Sequence, residues 1–185
     1  MLQLQAYGSA NIKLVSGKKL TGKVNLYLYN KTTNGSWTQV AKKENVTLTK
    51  ITTISISANT SKTRYWRVKF TGKVLDSRFY NKNAYSGLLN RKGALYPSHK
   101  EVYTGRVPAT PTTSLSKNPQ SRSKNFRSDY IAWFKKKYPK DSVDWSKYEI
   151  HHVLPLSYGG SNKMSNGIAL TKSQHSDYTT WWANY

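Results

Sequence analysis

The sequence predicts an α+β protein: an N-terminal all-β, sandwich-like domain over residues 1–104, a linker over 105–125, and a small C-terminal unit over 126–185 in which a helix precedes two strands and a second helix. Three observations predict it. Apolar and polar residues alternate in short runs as far as about residue 72, the period of half-buried strands. A stretch rich in Pro, Ser and Thr follows, with Pro108, Pro111 and Pro119, which is linker composition. Beyond it the period lengthens to that of a helix, and a histidine-rich segment then reads as strand, loop, strand, helix.

In the first part the alternation runs through Ile12 and Leu14, then Val24, Leu26 and Leu28, then Val46 and Leu48 continuing to Ile54 and Ile56, then Trp66, Val68 and Phe70. Asn34-Gly35 supplies a hairpin turn between two of these runs. About five or six strands at this spacing suggest a small sandwich or barrel. Outward positions carry Lys13, Lys23, Lys42, Lys43, Arg64, Arg67 and Lys69, and surface aromatics such as Tyr27, Tyr29 and Trp37 suit either stacking on bases and sugars or cross-strand packing. The Asn-x-Ser/Thr triplets at Asn30, Asn34, Asn45 and Asn59 are by-products of composition. From about residue 73 to 103 the pattern weakens, and residues 88–96 read as a strap between the two parts.

Charge dominates the composition. The formal net charge is +22, which fits a polyanionic partner: nucleic acid, an acidic cell-wall polymer or an anionic membrane surface. Residues 1–100 carry 18 Lys and Arg against two acids, and residues 101–185 carry 12 against six. The chain has no cysteine, excluding disulfides and thiolate metal sites. No run of about 18 apolar residues predicts a transmembrane helix, and no leader is legible at Met1.

After the linker, Phe126, Tyr130, Ile131 and Phe134 share one helical face, and Lys135, Lys136 and Lys137 precede the stop at Pro139. The helix should pack on the C-terminal unit with Trp145 and with Trp181 or Trp182. Arg122 and Arg127, near its start, are candidates for clamping a phosphate with a bidentate guanidinium.

Three of the four histidines fall in residues 148–182. Residues 149–154 read as a strand stopped by Pro155, with a loop through Gly159, Gly160 and Asn162, a second strand over 167–170, and a helix opened by Thr171 and Gln174 in capping-box spacing. His151 and His152 lie on the first strand and His175 in the first turns of the helix. Closed structural zinc sites take four Cys or His ligands, so an open site fits better, with an imidazole pair, water and substrate oxygens. Neighbouring strand residues point to opposite faces, which favours one ligand and one base over a shared ion. His99, alone in its surroundings, reads as an ordinary hydrogen-bonded residue. Asp177 falls about 200° around the helix from His175 and is not counted as a ligand.

The run E-x-H-H-x-x-P-x-x-x-G-G from Glu149 to Gly160 resembles the DNase domains of colicins and pyocins, members of the HNH or His-Me finger (ββα-metal) nucleases. The match covers about 35 to 40 residues, with weaker similarity from roughly Arg122. The resemblance implies His151 and His175 as metal ligands, His152 as the general base that activates water, Asn166 as the brace of the loop, and Glu149 as an orienting carboxylate. Colicin-type enzymes carry a further histidine ligand where this chain has Thr179, and the loop between Gly160 and Asn166 is one residue shorter. The first part resembles, in its NGSW turn and YWRVKF strand, accessory β domains of secreted Gram-positive proteins.

The expected function is therefore metal-dependent endonucleolytic cleavage. DNA is favoured over RNA as substrate, with little sequence preference because charge favours backbone contacts. The cofactor expected is one divalent ion, magnesium first, with manganese, nickel or zinc as alternatives. The chain is expected to be extracellular, as a scavenging nuclease or an antibacterial toxin, and a toxin would bring an acidic immunity protein as partner. A nucleic-acid or cell-wall binding protein with a degenerate histidine site is the alternative.

Overall fold

Alternating short apolar runs make strands, and in the computed structural model the runs of the first half that lie among the described residues do so. The structure describes residues 2–6, 9–14, 22–48, 53–58, 60–74, 78–101 and 103–185. The chain divides into two units, Met1–Tyr96 with Asn184–Tyr185, and Pro97–Ala183. Among the described residues it is a mixed α/β protein of mostly antiparallel sheets and two α-helices, in keeping with the α+β expectation.

Among its described residues the first unit has two sheets. Strands β1 (Leu2–Ala6), β2 (Ser9–Leu14) and β5 (Thr53–Ser57) form one, in the order β1-β2-β5. The other is β3 (Gly22–Lys31), β4 (Thr38–Leu48), β6 (Arg64–Val74) and β7 (Arg78–Leu89), in the order β4-β3-β6-β7. Val24, Leu26 and Leu28 of β3 and Trp66, Val68 and Phe70 of β6 are buried, each a step of two from the next, and they pack with Ile54 and Ile56 of β5 and with Leu89. Two sheets thus share one apolar layer, as the alternation predicts. The expected turn at Asn34-Gly35 joins β3 to β4, with Gly35 N donating to Thr32 O at 3.3 Å. The side chains of Ile12, Lys13, Leu14 and Leu48, and all of Asn59, lie outside the described residues.

Strand β7 departs from the expected weakening after residue 73. Among the described residues it is an edge strand with one neighbour, and Asn81, Lys82 and Asn83 in succession are exposed on both of its faces, so its sequence lacks the apolar alternation of a central strand. Residues 88–96 close this unit by folding back on themselves: Leu89 bridges Leu95, and Tyr96 N donates to Leu88 O at 2.9 Å.

In the second unit, β8 (Tyr148–His152) pairs antiparallel with β9 (Gly167–Thr171), which leads into α2 (Lys172–Ala183). The capping box is reciprocal: Thr171 N donates to Gln174 Oε1 at 3.0 Å and Gln174 N to Thr171 Oγ1 at 3.3 Å. Helix α1 (Phe126–Lys137) buries Phe126, Tyr130 and Phe134 against Ile150 and Ala169, with Trp145 at the margin. Ile131, expected on the same face, is only half-buried. Gly167 permits this packing, since a Cβ there would stand 2.6 Å from the Tyr130 ring.

Residues 105–125, expected as a linker, belong to this unit. Backbone bonds hold the strap in place, from Asn118 N to Ser157 O and from Gln120 N to Leu156 O, both at 2.9 Å. Pro, Ser and Thr are as compatible with a pinned extended strap as with a free one, which is why composition misled. The buried carboxylate of Glu101 anchors its start, accepting from the hydroxyls of Tyr130 and Thr104 and, at 3.1 Å, from Ala169 N. Glu101→Ala leaves a buried phenol and a buried strand N–H unpaired, and is expected to cost roughly 2–4 kcal/mol, read as a lower urea midpoint for the full chain.

Candidate functional site

Strand alternation sends His151 towards α2 and His152 towards α1. The His151 ring lies 5.1 Å from that of His175, at 81°, and 5.3 Å from that of Tyr178. His152 stacks on Phe126 at 3.9 Å and 15°. Both histidines nonetheless reach one open cleft of about 280 Å³, lined by Arg122, Ile150, His151, His152, Pro155, Leu156, His175, Thr179 and Trp182.

The loop between the strands is closed by its own backbone. Gly160 N donates to Pro155 O at 3.0 Å, and a Cβ on Gly160 would come within 1.9 Å of Leu154 O, so only glycine fits. Asn166 staples the loop: Leu154 N donates to its Oδ1 at 2.9 Å, and its Nδ2 donates to Leu154 O at 3.0 Å and Ser161 O at 2.9 Å. Its main-chain carbonyl accepts from Val153 N at 2.8 Å. Asn166 therefore fixes the exit of β8 directly after His152.

Asn162 was legible only as turn chemistry, yet it holds the site together. Its Nδ2 donates to Ser121 O at 2.8 Å and its Oδ1 accepts from Ser123 N at 3.2 Å. These partners, of fixed polarity, orient the amide and pin the backbone on either side of Arg122. The same Oδ1 lies 3.3 Å from His152 Nε2. An oxygen there accepts, so Nε2 carries the proton and Nδ1 keeps the lone pair.

All three histidines are held towards the neutral form. Burial, reinforced by the charges of His175 and His152, pushes His151 down to about 3. Burial also lowers His152, with Arg122 adding to the effect and the Asn162 hydrogen bond opposing it. For His175 burial again dominates and Arg122 lowers further, while Glu149 acts the other way. The unfolded chain thus binds more protons than the folded one below about pH 6.5, so stability rises with pH through this window. His151 makes the largest contribution, lost as pH falls from about 6.5 towards about 3. Urea unfolding of the chain and of His151→Gln at pH 7 and pH 4.5 should show the variant losing less stability on acidification.

The donor set bears on a metal ion. His151 Nε2 is buried and has no hydrogen-bond partner, although a buried ring nitrogen ordinarily has one. An ion about 2.0–2.1 Å from two tetrahedrally placed imidazole nitrogens sets the ring centres about 5 Å apart, the spacing of His151 and His175. Among the described residues no group of three His, Cys, Asp or Glu converges on a metal position. An ion here would take two imidazoles from the chain and water or substrate oxygens for the rest. Thr179 lines the same cleft, and its hydroxyl donates to His175 O at 2.9 Å.

The remaining predicted residues divide. Arg122 is exposed on the cleft wall. Arg127 is committed elsewhere, donating to Tyr148 O at 2.7 Å and Trp145 O at 2.6 Å; it braces the entry to β8 in place of the expected phosphate contact. Glu149 is half-buried and reaches the site through its charge on His175. His99 has a partner that sequence spacing hid, since its Nε2 lies 2.7 Å from Asp177 Oδ2, and this directs Asp177 away from a ligand role. Glu101 and Arg106 had no sequence signal; the Arg106 guanidinium donates to Ser165 O at 2.9 Å and also to Gly167 O, tying the strap to the start of β9. Among the described residues no helix is long and apolar enough to cross a membrane.

Comparison with protein-family models, with curated proteins and with solved structures returned no match to this chain.

Proposed function

We propose that the second unit is a divalent-metal-dependent endonuclease of the HNH, or His-Me finger, kind. The observation that carries this is the cleft's division of labour. It contains a neutral imidazole with an orphaned buried nitrogen beside a second imidazole, and a third whose Nε2 proton is engaged by Asn162. When bound, a divalent ion would neutralise charge on the scissile phosphate and stabilise the leaving oxygen. His151 and His175 are the residues to hold it.

The other steps belong to the chain. His152, neutral near pH 7 and stacked on Phe126, takes a proton from water at Nδ1 while Nε2 stays bonded to Asn162. Arg122 holds a non-bridging phosphate oxygen, positioned by the Asn162 bonds to its neighbours. Asn166 keeps the strand end and loop from drifting, and Glu149 favours positive charge near His175. The substrate class follows from the +22 net charge, which favours backbone contacts on DNA with little sequence preference. In this proposal the chain acts outside the cell, as a scavenging nuclease or as a toxin held in check by an acidic immunity protein. The products should carry 5′-phosphate and 3′-hydroxyl ends. Nicks that DNA ligase seals without prior treatment support this chemistry, and 3′-phosphate ends contradict it.

Asn162 provides a finer check. Asn162→Ala removes the bond that raises His152, so the acid limb of the pH–rate profile should move to lower pH while the plateau rate falls about tenfold or more as the ring loses its fixed tautomer. Initial nicking rates from pH 5 to 8 measure both. A binding protein with a degenerate site is the second reading, favoured by Thr179, whose hydroxyl is turned back onto the helix.

A further inference from the structure

The outer face of the four-stranded sheet carries a second ordered constellation, in the first unit. Registered neighbours place Tyr27 beside Lys69 and Lys42, Tyr29 beside Arg67, and Arg67 beside Tyr85. Strand alternation puts these opposite the buried row of Val24, Leu26, Leu28, Trp66, Val68 and Phe70. The Arg67 guanidinium lies 4.2 Å from the Tyr29 ring centre and 5.0 Å from that of Trp37. Lys31 Nζ is 5.3 Å from the Trp37 ring and 6.0 Å from that of Tyr65. Tyr85, 63% exposed, stands 5.8 Å from Trp37.

Cations held over rings fix both in place before any ligand arrives. Glu44, the one acid among the described residues of this unit, is engaged by Lys42 at 2.7 Å and by the Tyr27 hydroxyl at 3.2 Å. Among the described residues the face therefore offers aromatic surfaces and positive charge with no opposing free carboxylate.

We propose that this face is a binding site for single-stranded nucleic acid. A single strand presents what the face complements: phosphates for Lys31, Arg67 and Lys69, and unstacked base faces for Tyr29, Trp37 and Tyr85. A duplex hides its base faces and would use the charges alone. A base-free polyanion would leave the rings idle. The inference rests on the sheet's own geometry, not on cutting by the histidine cleft.

The test uses the full chain carrying His152→Ala in EDTA, so that cleavage plays no part. Fluorescence anisotropy follows binding of an oligo(dT) strand of roughly 16 nucleotides, with a duplex of equal length and inorganic polyphosphate as competitors. Oligo(dT) should bind more tightly than either competitor. Trp37→Ala and Tyr85→Ala should each weaken it about tenfold and leave polyphosphate affinity unchanged. Trp37→Phe, which keeps a ring, should restore most of the loss. If Trp37→Ala loses its β-sheet circular dichroism, the more exposed Tyr85→Ala decides. Equal binding of oligo(dT) and polyphosphate, preference for the duplex, or folded variants that bind oligo(dT) as the parent does, would each overturn the proposal.

Discussion

Replacing His152 with alanine should lower the rate of phosphodiester cleavage by about a hundredfold to ten-thousandfold, the range for losing a positioned general base, while metal affinity stays close to that of the parent. The expectation comes from how the ring is held. Phe126 fixes its plane and Asn162 its Nε2 proton, so the remaining nitrogen has one protonation state available at neutral pH. Burial lowers the imidazole from its ordinary value, which keeps the base unprotonated further into acid. Its activity should fall only as pH drops through that depressed value. Removing the ring leaves the His151–His175 pair and Arg122 in place, so a residual metal-dependent rate should remain. Time courses of supercoiled plasmid nicking, with metal affinity measured by calorimetry on the same preparations, separate loss of the base from loss of the ion. An equal loss of both would mean that His152 acts as a ligand.

The second large effect concerns the ion. His151→Ala and His175→Ala should each weaken divalent-metal binding by at least about a hundredfold, beyond the 10–100-fold typical of second-layer partners, and abolish cleavage at metal concentrations that saturate the parent. In the proposed assignment the chain contributes two imidazoles, so neither can compensate for the other. Both are already neutral at pH 7, so binding need not displace a proton from either ring. In the parent, metal at about 100 times its dissociation constant should add about 2.7 kcal/mol of stability, read as a rise in melting temperature that both variants lack. Thr179→His, which adds an imidazole one helical turn from His175, should tighten binding. A parent melting temperature that does not respond to magnesium, manganese, nickel or zinc would count against an ion at this pair.

Local chemistry was the legible part of the chain. The β8 and β9 strands, the stop at Pro155 and the Thr171–Gln174 capping box follow from residue type and spacing over a few positions. The structure agrees within a residue or two. The inward rows of β3 and β6 were equally plain, because central strands bury one full face. Edge strand β7 was not, since a strand with one neighbour needs little apolar alternation. The strap over 105–125 was read as free because composition reports backbone preference and says nothing of partners such as Leu156 O and Ser157 O.

The same distinction runs through the site. His151, His152 and His175 stand out by type and spacing, and the fold brings them to one cleft. Asn162, which tunes His152, and Glu101, which anchors the strap, act through contacts 10 to 41 positions apart for Asn162 and 29 to 68 for the Glu101 bonds to Tyr130 and Ala169, and no local pattern announces these. Arg127 shows the converse, a charged side chain with a plausible phosphate role whose guanidinium the backbone carbonyls of Trp145 and Tyr148 have already taken.

The most direct measurement is cleavage of supercoiled plasmid by the full wild-type chain, with EDTA and with added magnesium, manganese, nickel or zinc, beside His152→Ala prepared identically. Nicking that requires one of these ions, and that falls at least a hundredfold in the variant, is the predicted result. Plasmid binding without cleavage under every metal, on single-stranded DNA and on RNA as well, would contradict the catalytic assignment and leave a nucleic-acid binding protein in its place.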